Sequence, residues 1–123
     1  MLSNSFYNCF ELESFYTPSK LRNCNNTFNG CVKLAEFDAD LSELSNCNFM
    51  FGSDSYTCTK LNLKSIKNIA RSISNNGGNE IYIGIDYSLI QDNGDGEYQE
   101  YQDALNTIRN KGWTVYEIYS ENY

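Results

Sequence analysis

FNGCVKLAEFDADLSEL, residues 28–44, decides the fold, because the chain carries its pattern more than once. Upstream, Phe6, Cys9, Leu12, Phe15 and Leu21 stand 22 or 23 residues before Phe28, Cys31, Leu34, Phe37 and Leu44. Downstream, Phe51, Cys58, Leu61 and Leu63 restart the unit, with about four extra residues inside the stretch Gly52 to Thr57. A second register agrees, since Asn23-Cys24-Asn25 returns as Asn46-Cys47-Asn48 ahead of Phe28 and Phe51. A unit with a period in the low twenties holds one strand, one turn and one short helical segment, and cannot bury its apolar face alone. Stacking solves this, and a stack presents one strand per unit on a concave face.

The Phe-x-x-Cys-x-x-Leu-x-x-Phe spacing resembles the BspA-like leucine-rich repeats of bacterial surface proteins. The end of the chain adds a second likeness. Leu61 to Ile73 (LNLKSIKNIARSI), Glu80 to Asp86 (EIYIGID) and Ala104 to Val115 (ALNTIRNKGWTV) resemble the closing segment of similar repeat proteins encoded by gut bacteria and their phages. The resemblance implies a binding protein; family members bind partners of many kinds.

Composition bounds the rest. With 123 residues and 41% hydrophobic content the chain suits a single domain, residues 1–63 forming three degenerate repeats and 64–123 a helix-strand-helix-strand closing segment. Nine Lys and Arg against sixteen Asp and Glu give a net charge of -7, which argues against direct binding of nucleic acid, where phosphates must be neutralised. No apolar run approaches the ~18 residues of a membrane span. The start, MLSNSFYNCFELES, shows no signal peptide. The protein is expected in a cytoplasm if complete, and outside the cell or on a virion if it is a piece of a longer chain. Each of the five cysteines sits at a repeat-equivalent position, which suits a small buried filler. The chain has no His and no C-x-x-C pair, so a zinc site is not expected.

In chain order, strands are predicted at Glu13–Tyr16, with Pro18 following, and at Ala35–Ala39. Ile66, Ile69, Ala70 and Ile73 recur at helical spacing, ended by Asn75-Asn76-Gly77-Gly78. Lys64, Lys67 and Arg71 share the outer side of this helix and are expected to face Glu97, Glu100 and Asp103 on the next one. Ile81, Ile83 and Ile85 alternate with Tyr82, Gly84 and Asp86 in the clearest strand. Tyr98, Tyr101, Ala104, Leu105 and Ile108 mark a second helix closed by Gly112, and Trp113–Tyr119 a last strand. The expected fold is α/β: a short leucine-rich-repeat-like solenoid with one curved, mostly parallel sheet of about five strands and helices on the convex face.

That architecture makes the strand face the candidate binding surface. Its residues are Tyr16, Glu36, Asp38, Asn62, Tyr82, Asp86 and Tyr116, with Phe28, Leu34, Phe37, Ile83 and Ile85 in the core beneath. The first unit lacks a polar cap, so either more chain precedes it or its open end is an interface through which copies self-associate. Gln91 to Glu97 resembles a calcium loop at Asn93, Asp95 and Glu97, yet Gln91 and Gln102 stand where carboxylate ligands belong, so no metal and no cofactor is expected. Without His or a phosphate-binding glycine loop the chain is not expected to be an enzyme. The leading expectation is a protein-recognition module. An acidic phage-type inhibitor of a nucleic-acid-binding host defence protein, and a fragment of a phage tail or bacterial surface protein, are the alternatives.

Overall fold

Each of the first two units hands its backbone N–H groups to the next. In the computed structural model, which describes residues 2–75, 79–91 and 94–121, Leu2, Asn4, Phe6 and Asn8 donate to the carbonyls of Asn23, Asn25, Thr27 and Asn29 at 2.9–3.1 Å. Cys24, Asn26, Phe28 and Gly30 donate in turn to Asn46, Asn48, Met50 and Thr57 at 2.6–2.9 Å. The jump from Met50 to Thr57 accommodates the inserted residues. They fold on themselves, the Asp54 carboxylate accepting the N–H groups of Tyr56 and Thr57 at 2.9 and 3.1 Å. Two left-handed positions recur: Asn4, Asn26 and Phe49 at φ 61, 56 and 53°, then Asn8, Gly30 and Gly52 at φ 59, 91 and 117°. Asn and Gly suit that region. Phe49 does not.

β1 (Ser14–Lys20) and β2 (Glu36–Asp40) form one parallel pair with Phe15 opposite Phe37 and Tyr16 opposite Asp38. Pro18 lies inside β1, where the register shifts, rather than behind the strand as expected. It is tolerated because β1 is an edge. β3 (Glu80–Gly84) and β4 (Thr114–Ile118) form a second parallel pair with Tyr82 opposite Tyr116. Among the described residues the architecture is mixed α/β, with two helices and four strands in two small parallel sheets. The single sheet of about five strands is not formed. Between the two pairs stands Leu61, which bridges Ile85, while Lys60 and Asn62 on either side of it donate to the Leu34 and Ala35 carbonyls ahead of β2; no longer strand forms there because the third unit turns into α1 (Leu63–Ser72) as soon as it has supplied Leu61. Asn62 caps that helix, its side chain accepting the Ser65 N–H.

α1 lies along the edge of β2 that β1 leaves open. Ser65 Oγ accepts the Phe37 N–H at 2.8 Å and donates to the Ala35 carbonyl at 2.9 Å. Asn68 donates to the Phe37 carbonyl, and Ser72 Oγ bonds Leu41 N and Ala39 O. Side chains at i, i+3 and i+7 thus replace a third strand, and Ser65 and Asn68 are buried in doing so. α2 (Glu97–Asn110) packs beside α1. Lys67 pairs with Glu100 as expected, while Arg71 turns to Asn68 Oδ1 at 2.6 Å instead of to an acid. Lys111, just beyond α2, donates to the Ala70 and Ile73 carbonyls at 2.8 and 3.0 Å and so satisfies the C-terminal end of α1. Gly112 closes α2 at φ 98°. The expected stop of α1 at Asn75–Gly78 lies, from Asn76 to Gly78, outside the described residues.

Phe28, Leu34, Phe37, Ile83 and Ile85 belong to one buried cluster. Cys24, Cys31 and Cys47 are free thiols in that cluster; Cys58 is buried outside it and Cys9 is half-buried, both also free. Burial pushes the thiols of Cys24, Cys31 and Cys58 up to about 11 and that of Cys47 to about 12. In the unfolded chain they ionise near the ordinary 9.0. Below that pH both states keep their protons and stability is unaffected. Above it the unfolded chain loses protons that the folded chain retains, so stability falls as pH rises from about 9 toward 11–12. The urea midpoint, measured against pH, is therefore expected to be unchanged by these thiols from about pH 6 to about 8.5 and to fall beyond, less steeply in Cys47→Ala.

Candidate functional site

The seven candidate residues line separate hollows. Tyr16, Glu36, Asp38 and Asn62 line a cleft of about 290 Å³ together with Lys64 and Asn68. Tyr16 is 70% exposed there. Asn62 is occupied in capping, its Oδ1 accepting the Ser65 N–H at 3.0 Å. Asp86, whose N–H donates to the Leu61 carbonyl at 3.0 Å, lines a different hollow with Glu13, Lys33, Ala35 and Lys60. Its carboxylate accepts the Ser88 N–H at 3.0 Å and caps the 3₁₀ turn Tyr87–Ile90.

Tyr82 and Tyr116 form the third group. Parity along β3 is as read, with Ile81 and Ile83 buried and Tyr82 half-exposed between them. Tyr82 does not line the cleft of Tyr16 and Asp38, however, because β3 runs beside the segment 47–59 and the chain meets Leu61 only at Gly84 to Asp86. Cys47 Sγ reaches the Glu80 carbonyl at 3.6 Å, and Thr59 Oγ1 donates to the Gly84 carbonyl at 2.7 Å. Gly84 permits this approach: a Cβ there would stand 2.5 Å from Thr59 N and 2.8 Å from the Phe51 carbonyl.

This placement brings Phe49, not among the sequence candidates, against Tyr82 with ring centroids 5.3 Å apart; Tyr82 in turn stacks on Tyr116 at 4.8 Å. The result is a row of three rings at the surface, with Phe49 39% and Tyr116 42% exposed. One signal in the sequence could have found Phe49: two residues before the repeat phenylalanine, Asn4 and Asn26 are replaced by an aromatic. A cleft on one side of the row is lined by Asn48, Phe49, Asn79, Glu80 and Tyr82. On the other side Tyr116 and Glu117 meet Tyr98 and Gln102 of α2. The Glu117 carboxylate accepts from the buried Tyr101 hydroxyl and lies 3.9 Å from Arg109. Burial first, and then that carboxylate, push the Tyr101 phenol up.

Other sequence candidates are placed as follows. Asn93 lies outside the described residues, and Asp95 Oδ1 accepts the Glu97 N–H at 3.0 Å at the start of α2. Among the described residues no group of three His, Cys, Asp or Glu is placed to hold a metal. At the N-terminal end Leu2, Phe6, Cys9, Leu12 and Phe15 pack against the core but remain partly open, and Tyr7 and Phe10 are exposed. No described helix is long and apolar enough to cross a membrane. Comparison with protein-family models, with curated proteins and with solved structures returns no match.

Proposed function

We propose that this chain is a protein-recognition module, built as a short leucine-rich-repeat-like solenoid, and that its working surface is the aromatic row Phe49–Tyr82–Tyr116. The solenoid reading is supported by the backbone bonds that tie each of the first two units to the next at repeat-equivalent residues. The recognition reading rests on one observation: three rings outside the core, Tyr82 in contact with Phe49 on one side and Tyr116 on the other, two of them more than a third exposed. Aromatic side chains bring large contact area with few rotatable bonds, and they supply a disproportionate share of interface energy.

The test is affinity capture with the native chain and with Tyr82→Ala, followed by titration of the purified captured protein. A true hot spot weakens Kd by at least ~30-fold, equivalent to ~2 kcal/mol. Glu36→Lys with Asp38→Lys, in the separate cleft of Tyr16, is expected to weaken it much less. The reverse ranking would move the working surface to that cleft, and loss only on changing Phe6 or Tyr7 would move it to the N-terminal end.

A further inference from the structure

We propose that the Phe49–Tyr82–Tyr116 row takes a cationic side chain, arginine above all, presented by a protein partner; this rests on the recognition reading above. Phe49 carries the inference. Its φ of 53° belongs to a region that suits Asn and Gly, and the two equivalent residues are Asn4 at 61° and Asn26 at 56°. An aromatic residue in that conformation is strained, and an exposed ring recovers little of the strain through folding. Strain of this kind collects at binding sites. The ring at 49 does one visible thing, which is to extend the Tyr82–Tyr116 stack by a third face.

The chemistry around the row selects the occupant. Ring faces attract cations, and a planar guanidinium can stack on tyrosine while pairing with a carboxylate. Glu80 lines the cleft on one side of the row and Glu117 the cleft on the other, and neither cleft has a Lys or Arg among its lining residues. Glu117 is already engaged by Tyr101 and Arg109, which leaves Glu80, exposed beside Tyr82, as the carboxylate for an incoming cation. The net charge of -7 favours approach of a basic partner. The cleft of Tyr16, Glu36 and Asp38 fits a cation less well, since Lys64 lines it and Asn62 is committed to capping.

The experiment titrates three peptides of about ten residues, alternating Ser with Arg, Lys or Gln, into the labelled full chain, followed by aromatic NMR and calorimetry. The Arg peptide is expected to shift the Phe49, Tyr82 and Tyr116 ring signals saturably, the Lys peptide more weakly and the Gln peptide not at all. Phe49→Asn restores the residue type of the other two units, so its melting temperature should equal or exceed that of the native chain. Its affinity for the Arg peptide should fall about tenfold. Phe49→Leu keeps apolar contact without a π face and should lose affinity similarly, whereas Tyr16→Ala should not. Shifts centred on Tyr16 and Asp38, equal binding of the Gln peptide, or unchanged affinity in both Phe49 variants would each overturn the proposal. If a captured partner is lost on Tyr82→Ala yet is held by Phe49→Asn, and is still held by the native chain after the partner's arginines are replaced with Gln, recognition stands and the cationic occupant does not.

Discussion

Phe28→Ala is expected to lower the unfolding free energy by about 3–5 kcal/mol, the largest effect of any single truncation in the chain. Phe28 is fully buried, and its ring touches four others, Phe6, Phe15, Phe37 and Phe51, with centroids 5.0–6.1 Å away. Those rings come from all three units. Phe6 and Phe51 stack on it from the units on either side, while Phe15 and Phe37 meet it edge-on from β1 and β2. Removing it opens a cavity that no single element can close, since each neighbour is held by the backbone bonds of its own unit. Urea unfolding checks this: the midpoint should fall with an unchanged m-value. Phe10→Ala, at an exposed ring of the first unit, should stay within about 0.5 kcal/mol of the native chain. A small loss at Phe28 would mean that the units do not share one core.

Ser65→Ala is expected to cost about 1–3 kcal/mol, more than removing one hydroxyl from a helix surface. The hydroxyl is buried and serves two backbone groups of β2 at once, the Phe37 N–H and the Ala35 carbonyl. Without it the Phe37 N–H is left inside the protein with no partner and no access to water, while the Ala35 carbonyl keeps only the Asn62 N–H at 2.9 Å. The exposed neighbour Lys64→Ala is the control, with little expected change. Amide hydrogen exchange gives the sharper reading, because Phe37 should exchange faster in Ser65→Ala while Ile83, in the other sheet, should not. Equal acceleration at both would show a global loss and would remove the edge-covering role assigned to α1.

Much of this fold was legible in the residues. The repeat of Phe, Cys and Leu places those side chains in the core, and alternation along Glu80 to Gly84 assigns Ile81 and Ile83 inward and Tyr82 outward. Both helices follow from apolar spacing. Lys67 with Glu100 follows from charges on facing helices. Polar residues inside a helix are harder to read. Ser65, Asn68 and Ser72 look like solvent-facing positions until a strand edge is placed against them. Lys111 likewise looks like a surface charge, and only the adjacency of the two helix ends makes it a cap for α1.

By itself the sequence determined which side chains go inside, because burial follows a periodicity written along the chain. Which units become lateral neighbours is a different matter, since it depends on where the chain leaves the stack. Here it leaves at Asn62, whose cap starts α1 after a single bridging residue and divides one expected sheet into two. β3 then settles against the segment 47–59 because Gly84 leaves room for Thr59 there. That contact, invisible in any spacing, sets Tyr82 beside Phe49 and separates both from Tyr16, Glu36 and Asp38. The three-ring row is therefore a product of tertiary structure alone: its members are distant in sequence, and only side-to-side packing of non-adjacent segments brings their faces together.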